Sequence, residues 1–157
     1  MRIVIDSPLW ALGLKAPFVS SHDPVLKTAI AAQNFLRETL KKNWDLLFSS
    51  QLFAEIFEEL TRKGNQIPSD QSERLLSDLL LRKGTIYRPV LQNVMERCLH
   101  LSAVNNIPVW DYLVAVPFED QMDRIYTIDP HFEHSSLSGF AEIENPLGIW
   151  KADTEAG

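Results

Sequence analysis

Apolar and polar positions along the chain fall into blocks that predict strands and helices in alternation. Arg2 to Ile5 is a short β-branched run stopped by Asp6-Ser7-Pro8, which reads as a buried strand and a helix start, with Ser7 able to cap and Pro8 suited to the first helical position. Leu9 to Ser21 reads as a short helix and a loop, broken by Gly13 and Pro17. Asp23-Pro24 opens a helix in which Leu26, Ala29, Ile30, Gln33, Leu36, Leu40 and Trp44 recur at helical spacing. Asp45 to Ser49 predicts a second strand. The next helix is capped by Ser49 or Ser50, carries Leu52, Phe53, Ile56, Phe57 and Leu60 on one stripe, and ends at Lys63-Gly64.

Further along, a polar loop over Asn65 to Ser69 leads to a helix from Asp70 to Lys83, which Gly84 terminates. A short strand is expected at Thr85 to Tyr87, helices at Pro89 to Val104 and Pro108 to Val116, and a strand at Arg124 to Ile128 halted by Asp129-Pro130. The remainder is loop-rich, with a closing strand near Phe140 to Ile143. Strands alternating with helices predict an α/β domain with a mainly parallel sheet.

Length and composition bound this picture. The chain has 157 residues, 45% hydrophobic and 23% charged, which suits one domain over residues 1–150 with a frayed tail, Lys151 to Gly157. The single cysteine, Cys98, excludes a disulfide framework and a multi-cysteine zinc site, and its apolar helical setting reads as a buried thiol. No apolar run reaches the ~18–20 residues that cross a bilayer. Asp6 interrupts the first apolar run and no small-residue cleavage site follows, so a cytoplasmic setting with no membrane contact is expected. The net charge of -6 argues against broad electrostatic capture of nucleic acid, although the pairs Lys41–Lys42, Arg62–Lys63 and Arg82–Lys83 could serve one face. At helix ends these pairs also complement the helix dipole.

The candidate chemistry is acidic. Asp6 and Asp129 each follow an apolar strand and precede a helix start, and in an open parallel sheet ligands sit beyond the carboxyl ends of the strands. Asp111 lies in the first turn of the helix begun by Pro108, and Glu55 one turn into the helix after the second strand, so all four acids can converge on one edge. Singly, each aspartate also has a structural use: Asp129 before Pro130 as a helix cap, Asp111 on the helix dipole, Asp6 in its turn. Glu55 is too far from Ser49 or Ser50 for a capping box, and Glu59 flanks the same apolar stripe, so spacing does not choose between them. Four converging carboxylates need a compensating charge. A hard divalent cation such as magnesium supplies it and suits phosphodiester hydrolysis.

Other sites are absent or poor. His22, His100, His131 and His134 form no HExxH pair, and His131 and His134 read as surface residues of a loop. There is no GxGxxG, GxxxxGK[ST] or GxSxG motif. Pro8 stands where a haloacid-dehalogenase-type enzyme wants its second aspartate, and no acidic pair of the receiver-domain kind lies beside the first strand.

The strand ending in Asp6, the segment FSSQLFAEIFEEL with Glu55, NNIPVWDYLVAV with Asp111 and RIYTIDPHF with Thr127, Asp129 and Phe132 together resemble a PIN domain, most similar to the VapC-type toxins of prokaryotic toxin–antitoxin pairs. The resemblance runs from Arg2 to about Phe140. It implies a three-layer α/β/α sandwich and a Mg2+- or Mn2+-dependent endoribonuclease whose metal-binding and catalytic acids are Asp6, Glu55, Asp111 and Asp129. On that basis Glu55 is preferred to Glu59, Thr127 is a supporting hydroxyl near the metal, and Leu113, Val114 and Phe132 are core. An RNA substrate, a small antitoxin protein and a homodimer are the implied partners, with the helix from Leu26 to Trp44 as a contact surface. Three positions depart from the family pattern: Ser7-Pro8 stand in place of Thr-Asn or Thr-Ser, Tyr112 replaces a small residue, and Met122-Asp123 replaces a glycine-bearing turn. The last concerns loop shape, whereas Pro8, Tyr112 and the acidic surface raise the alternative of a catalytically weak or inactive PIN-like module that binds RNA or a protein partner. A third, weaker reading is a hydrolase of small phosphorylated molecules.

Overall fold

A computed structural model describes residues 1–151. The tail expected over Lys151 to Gly157 therefore lies outside the described residues, apart from Lys151. The strands β1 (Arg2–Ile5), β2 (Asp45–Ser49), β3 (Thr85–Arg88), β4 (Arg124–Tyr126) and β5 (Glu142–Glu144) form one sheet in the order β3-β2-β1-β4-β5. Every pairing in it is parallel. The helices are α1 (Ser7–Lys15), α2 (Leu26–Leu40), α3 (Ser50–Arg62), α4 (Ser69–Leu81), α5 (Gln92–Asn105), α6 (Val109–Ala115) and the short α7 (Ser135–Ser138).

The strand order explains the layering. From β1 the chain steps outward to β2 and β3 through α1 to α4, then returns across the sheet to β4 and β5 through α5 to α7. Right-handed crossovers put these two sets on opposite faces, giving an α/β/α sandwich. The direction reverses between β1 and β4, where the ends of the strands open a crevice. Ile3, Val4, Leu46, Leu47, Phe48 and Ile125 are fully buried, as strands covered on both faces require. Leu113, Val114 and Phe132 join the same core.

Several local expectations shift. Gly13 does not break α1, which continues to Lys15. A Cβ there would lie 2.4 Å from Leu36 Cδ1 and 3.2 Å from the Ala32 carbonyl, so the glycine lets α1 approach α2 closely. The buried face of α2 is Ala29, Ala32, Leu36 and Thr39, while Ile30 is exposed and Trp44 lies beyond the helix, beneath Lys42. Phe35 packs against Tyr126 in a tilted arrangement, with ring centroids 4.9 Å apart, and is engaged within the chain. The strand expected to reach Ile128 ends at Tyr126, because the Thr127 hydroxyl turns back to accept the Asp129 amide N–H. Cys98 is buried, and that burial raises its thiol to about 11. Among the described residues no helix is long and apolar enough to cross a membrane.

Candidate active site

The edge where the sheet reverses direction carries Asp6 and Asp129. Asp6 leaves β1 and caps α1: its Oδ1 accepts the Ser7 N–H at 2.9 Å. The cap is thus the aspartate and not Ser7, and Pro8 follows in the first turn. The freed Ser7 hydroxyl donates to Glu55 Oε1 at 2.8 Å. Asp6 is buried, and its Oδ2 accepts the Thr127 hydroxyl at 2.8 Å. Thr127 therefore links the two strand ends, donating to Asp6 and accepting from the Asp129 N–H at 3.0 Å. Asp129 in turn accepts the His131 N–H at 2.9 Å and caps the 3-10 turn Pro130–Glu133.

Glu55 and Asp111 enter from two helices. On α3, Glu55 is held by Ser7, whereas Glu59 pairs with Lys63 at 3.1 Å. Asp111 sits in the first turn of α6, only 7% exposed. All four acids line one cleft of about 510 Å³, with Ser7, Pro8, Glu58, Glu59, Lys63, Trp110, His131 and Lys151 also on its walls. The tightest group within it is Asp111, Asp129 and His131, whose ligating atoms all lie within 4.8 Å of one another. Asp6 and Glu55 stand outside that group on the same cleft, each fixed by a hydroxyl.

Crowding of like charges in a dry setting shows in the acidities. Burial, with Glu55 close by, raises Asp6 to about 7, against the opposing pull of the Thr127 hydrogen bond. Burial raises Glu55, although the Ser7 hydrogen bond and the charges of Lys63 and Lys151 pull the other way. Asp111 is pushed well above the usual carboxylate range by burial and by Asp129, Asp6 and Glu55. Asp111 Oδ2 is fully buried and accepts no hydrogen bond. A buried oxygen in that state, beside three more acids, is an arrangement that a divalent cation with oxygen ligands would relieve, so the donor set fits such an ion.

Sequence reasoning missed several residues of this cleft. His131, expected on the surface, places Nδ1 3.2 Å from Asp111 Oδ2 and 3.0 Å from Asp129 Oδ1. Its place two residues after a helix-capping aspartate was the available signal. Lys151, expected in the frayed tail, donates its backbone N–H to the Ile128 carbonyl at 2.7 Å, just before Asp129. Trp110 is 53% exposed on the cleft wall. Tyr112, beside the third acid, is fully buried with its hydroxyl 2.7 Å from Ser136 Oγ, away from the cleft walls.

No protein-family model matches the chain, and no curated protein matches it. Solved structures do. Mycobacterium tuberculosis VapC20, a sarcin–ricin loop cleaving toxin, aligns over 83% of this chain and 92% of its own, at 14% identity and a TM-score of 0.59. VapBC2 from Rickettsia felis, bound to a DNA fragment from its promoter, aligns over 92% of this chain and 98% of its own, at the same identity and TM-score. FitAB, bound to a DNA fragment, aligns over 95% and 98%, again at 14% identity and 0.59. Such likeness at such low identity speaks to architecture, and in architecture the chain has the PIN-domain fold of the VapC type.

Proposed function

We propose that the protein is a divalent-metal-dependent endoribonuclease, its residues 1–150 forming one PIN-like domain, and that it acts as the toxin of a toxin–antitoxin pair. The observation that carries this reading is the convergence of Asp6, Glu55, Asp111 and Asp129 on one cleft, with a buried Asp111 oxygen that accepts no hydrogen bond. Asp111 and Asp129 would hold Mg2+ or Mn2+ directly, with Asp6 and Glu55 completing the ring of charge around it. When bound, the ion supplies charge neutralisation at the phosphate and a more acidic water for in-line attack.

The chain's own groups would do the rest. Thr127 and Ser7 fix Asp6 and Glu55, so the acids keep their orientation when a substrate enters. Lys63 and Lys151, on the cleft wall, offset the acidic field that an RNA backbone would otherwise meet. Trp110 offers an exposed aromatic face of the kind on which unpaired bases stack.

Sarcin–ricin loop cleavage by VapC20 supports RNA as the substrate, and the two DNA-bound structures support pairing with an antitoxin. A homodimer is proposed on the family resemblance of the sequence motifs alone. An inactive binding module is less well supported, because Tyr112 lies in the core and Pro8, although on the cleft wall, leaves all four acids lining the same cleft. The test is cleavage of single-stranded and structured RNA by the purified protein with Mn2+ or Mg2+. Cutting is expected from the wild type and not from Asp6→Asn or Asp111→Asn. Equal cutting by all three would overturn the proposal.

A further inference from the structure

We propose that His131 is a nitrogen ligand of the metal site, and that this ligand biases the site toward Mn2+ over Mg2+. The inference rests on the metal-dependent reading above and adds to it a donor and a metal preference that the four acids do not imply.

The local fold fixes where the imidazole sits. Asp129 caps the 3-10 turn and accepts the His131 N–H, so the histidine backbone is tied to one of the acids. The ring then lies across the gap between β4 and α6, with Nδ1 3.0 Å from Asp129 Oδ1 and 3.2 Å from Asp111 Oδ2. Neighbouring ligand atoms around an octahedral ion with bonds of about 2.1 Å are separated by about 3.0 Å. Both contacts match that edge length, and the three ligating atoms all lie within 4.8 Å of one another, close enough to share one ion. The oxygen facing the ring is itself buried: Asp111 is 7% exposed, and its Oδ2, with the imidazole 3.2 Å away, makes no contact of hydrogen-bond geometry. That oxygen is held ready for an electrophilic ligand.

Donor chemistry sets the preference. Mg2+ favours oxygen ligands and keeps much of its water, whereas imidazole suits the transition metals. Four acids alone would accept either ion. With His131 in the set, Mn2+ gains a bond that Mg2+ forms poorly.

The experiment measures binding by calorimetry on metal-free protein, with Mn2+ and Mg2+ as separate titrants, for wild type, His131→Ala and His131→Gln. Pulsed EPR of the Mn2+-loaded samples provides the second readout. Tighter Mn2+ than Mg2+ binding is expected for the wild type, with a loss of about tenfold or more for Mn2+ in both variants and little change for Mg2+. Nitrogen modulation of the Mn2+ signal should be present in the wild type and absent from both variants. Equal losses for the two ions, or an unchanged nitrogen signal in folded variants, would overturn the inference while leaving the nuclease reading intact. No metal binding by the wild type would overturn both.

Discussion

The Ser7 hydroxyl donates to Glu55 Oε1 at 2.8 Å, joining the first turn of α1 to the first turns of α3 across 48 positions of sequence. Glu55 reaches the cleft from a helix whose buried stripe does not include it, so this bond fixes the carboxylate's rotamer. Removing such a positioning bond typically costs roughly ten- to a hundredfold in activity or metal affinity. Ser7→Ala should therefore lower RNA cleavage by about tenfold or more, while Ser7→Thr, which keeps the hydroxyl, should retain most of it. Thermal midpoints alongside the rates separate this from unfolding. An unimpaired Ser7→Ala enzyme would show that Glu55 needs no such support.

The raised acidities couple metal binding and stability to pH. Asp6 has a folded value of about 7 against an ordinary 3.8, so between those values the folded state holds a proton that the unfolded chain releases. Its contribution to stability is complete below about pH 4 and is lost as pH rises through 7, with a slope of up to about 1.4 kcal/mol per pH unit. Glu55 and Asp111 move in the same direction. A bound cation removes the repulsion and must displace these protons. Added Mn2+ should thus raise the thermal midpoint more at about pH 8 than at about pH 5.5. Metal-free Asp6→Asn should lose less stability over that range than the wild type. A metal effect independent of pH would contradict this account.

Gly13 gives a test of the scaffold apart from the chemistry. The Cβ of an alanine there would meet Leu36 Cδ1 at 2.4 Å and the Ala32 backbone at 3.2 Å. Leu36 can rotate, but the Ala32 carbonyl cannot yield without separating α1 from α2. Overpacking of this kind costs about 1–3 kcal/mol, against a gain of under about 1 kcal/mol from helix propensity. Gly13→Ala should lower the denaturation midpoint, with cleavage unchanged at temperatures where the variant is folded. A stabilised variant would mean that the two helices part easily.

How much of this was legible in the sequence depended on whether a feature was local. The β1–Asp6 and β4–Asp129 junctions could be read because an apolar run, an acid and a proline lie within a few residues, and the parallel-sheet rule then places both at one edge. Gly13 could not be read correctly, since its partner Leu36 is supplied by another helix and a glycine in isolation signals a break. His131 was hidden for a related reason. Its short turn has no hydrophobic period, and its neighbour Asp111 lies on α6, so only the folded chain brings the ring between two acids. Lys151 depends on the Ile128 carbonyl, a partner distant in sequence that no pattern in its own segment reveals.

Trp110 tests whether the cleft reads RNA. It precedes Asp111 at the start of α6 and is 53% exposed on a wall shared with the acids, an unusual place for a large apolar ring. Stacking of one base on such a ring is worth about 1–3 kcal/mol, so Trp110→Ala should weaken single-stranded RNA binding by roughly five- to a hundredfold. Trp110→Phe should keep most of the affinity. The measurement is fluorescence anisotropy with labelled RNA in the Asp6→Asn background, where binding is seen without cutting. Stacking also quenches the indole, so RNA should reduce tryptophan emission in the parent and do so less in Trp110→Phe. The contact is made to a base and not to a phosphate, so its loss should leave the salt dependence of binding unaltered, whereas Lys151→Ala should reduce that slope. Equal RNA affinity in the parent and Trp110→Ala would assign the ring to a different partner.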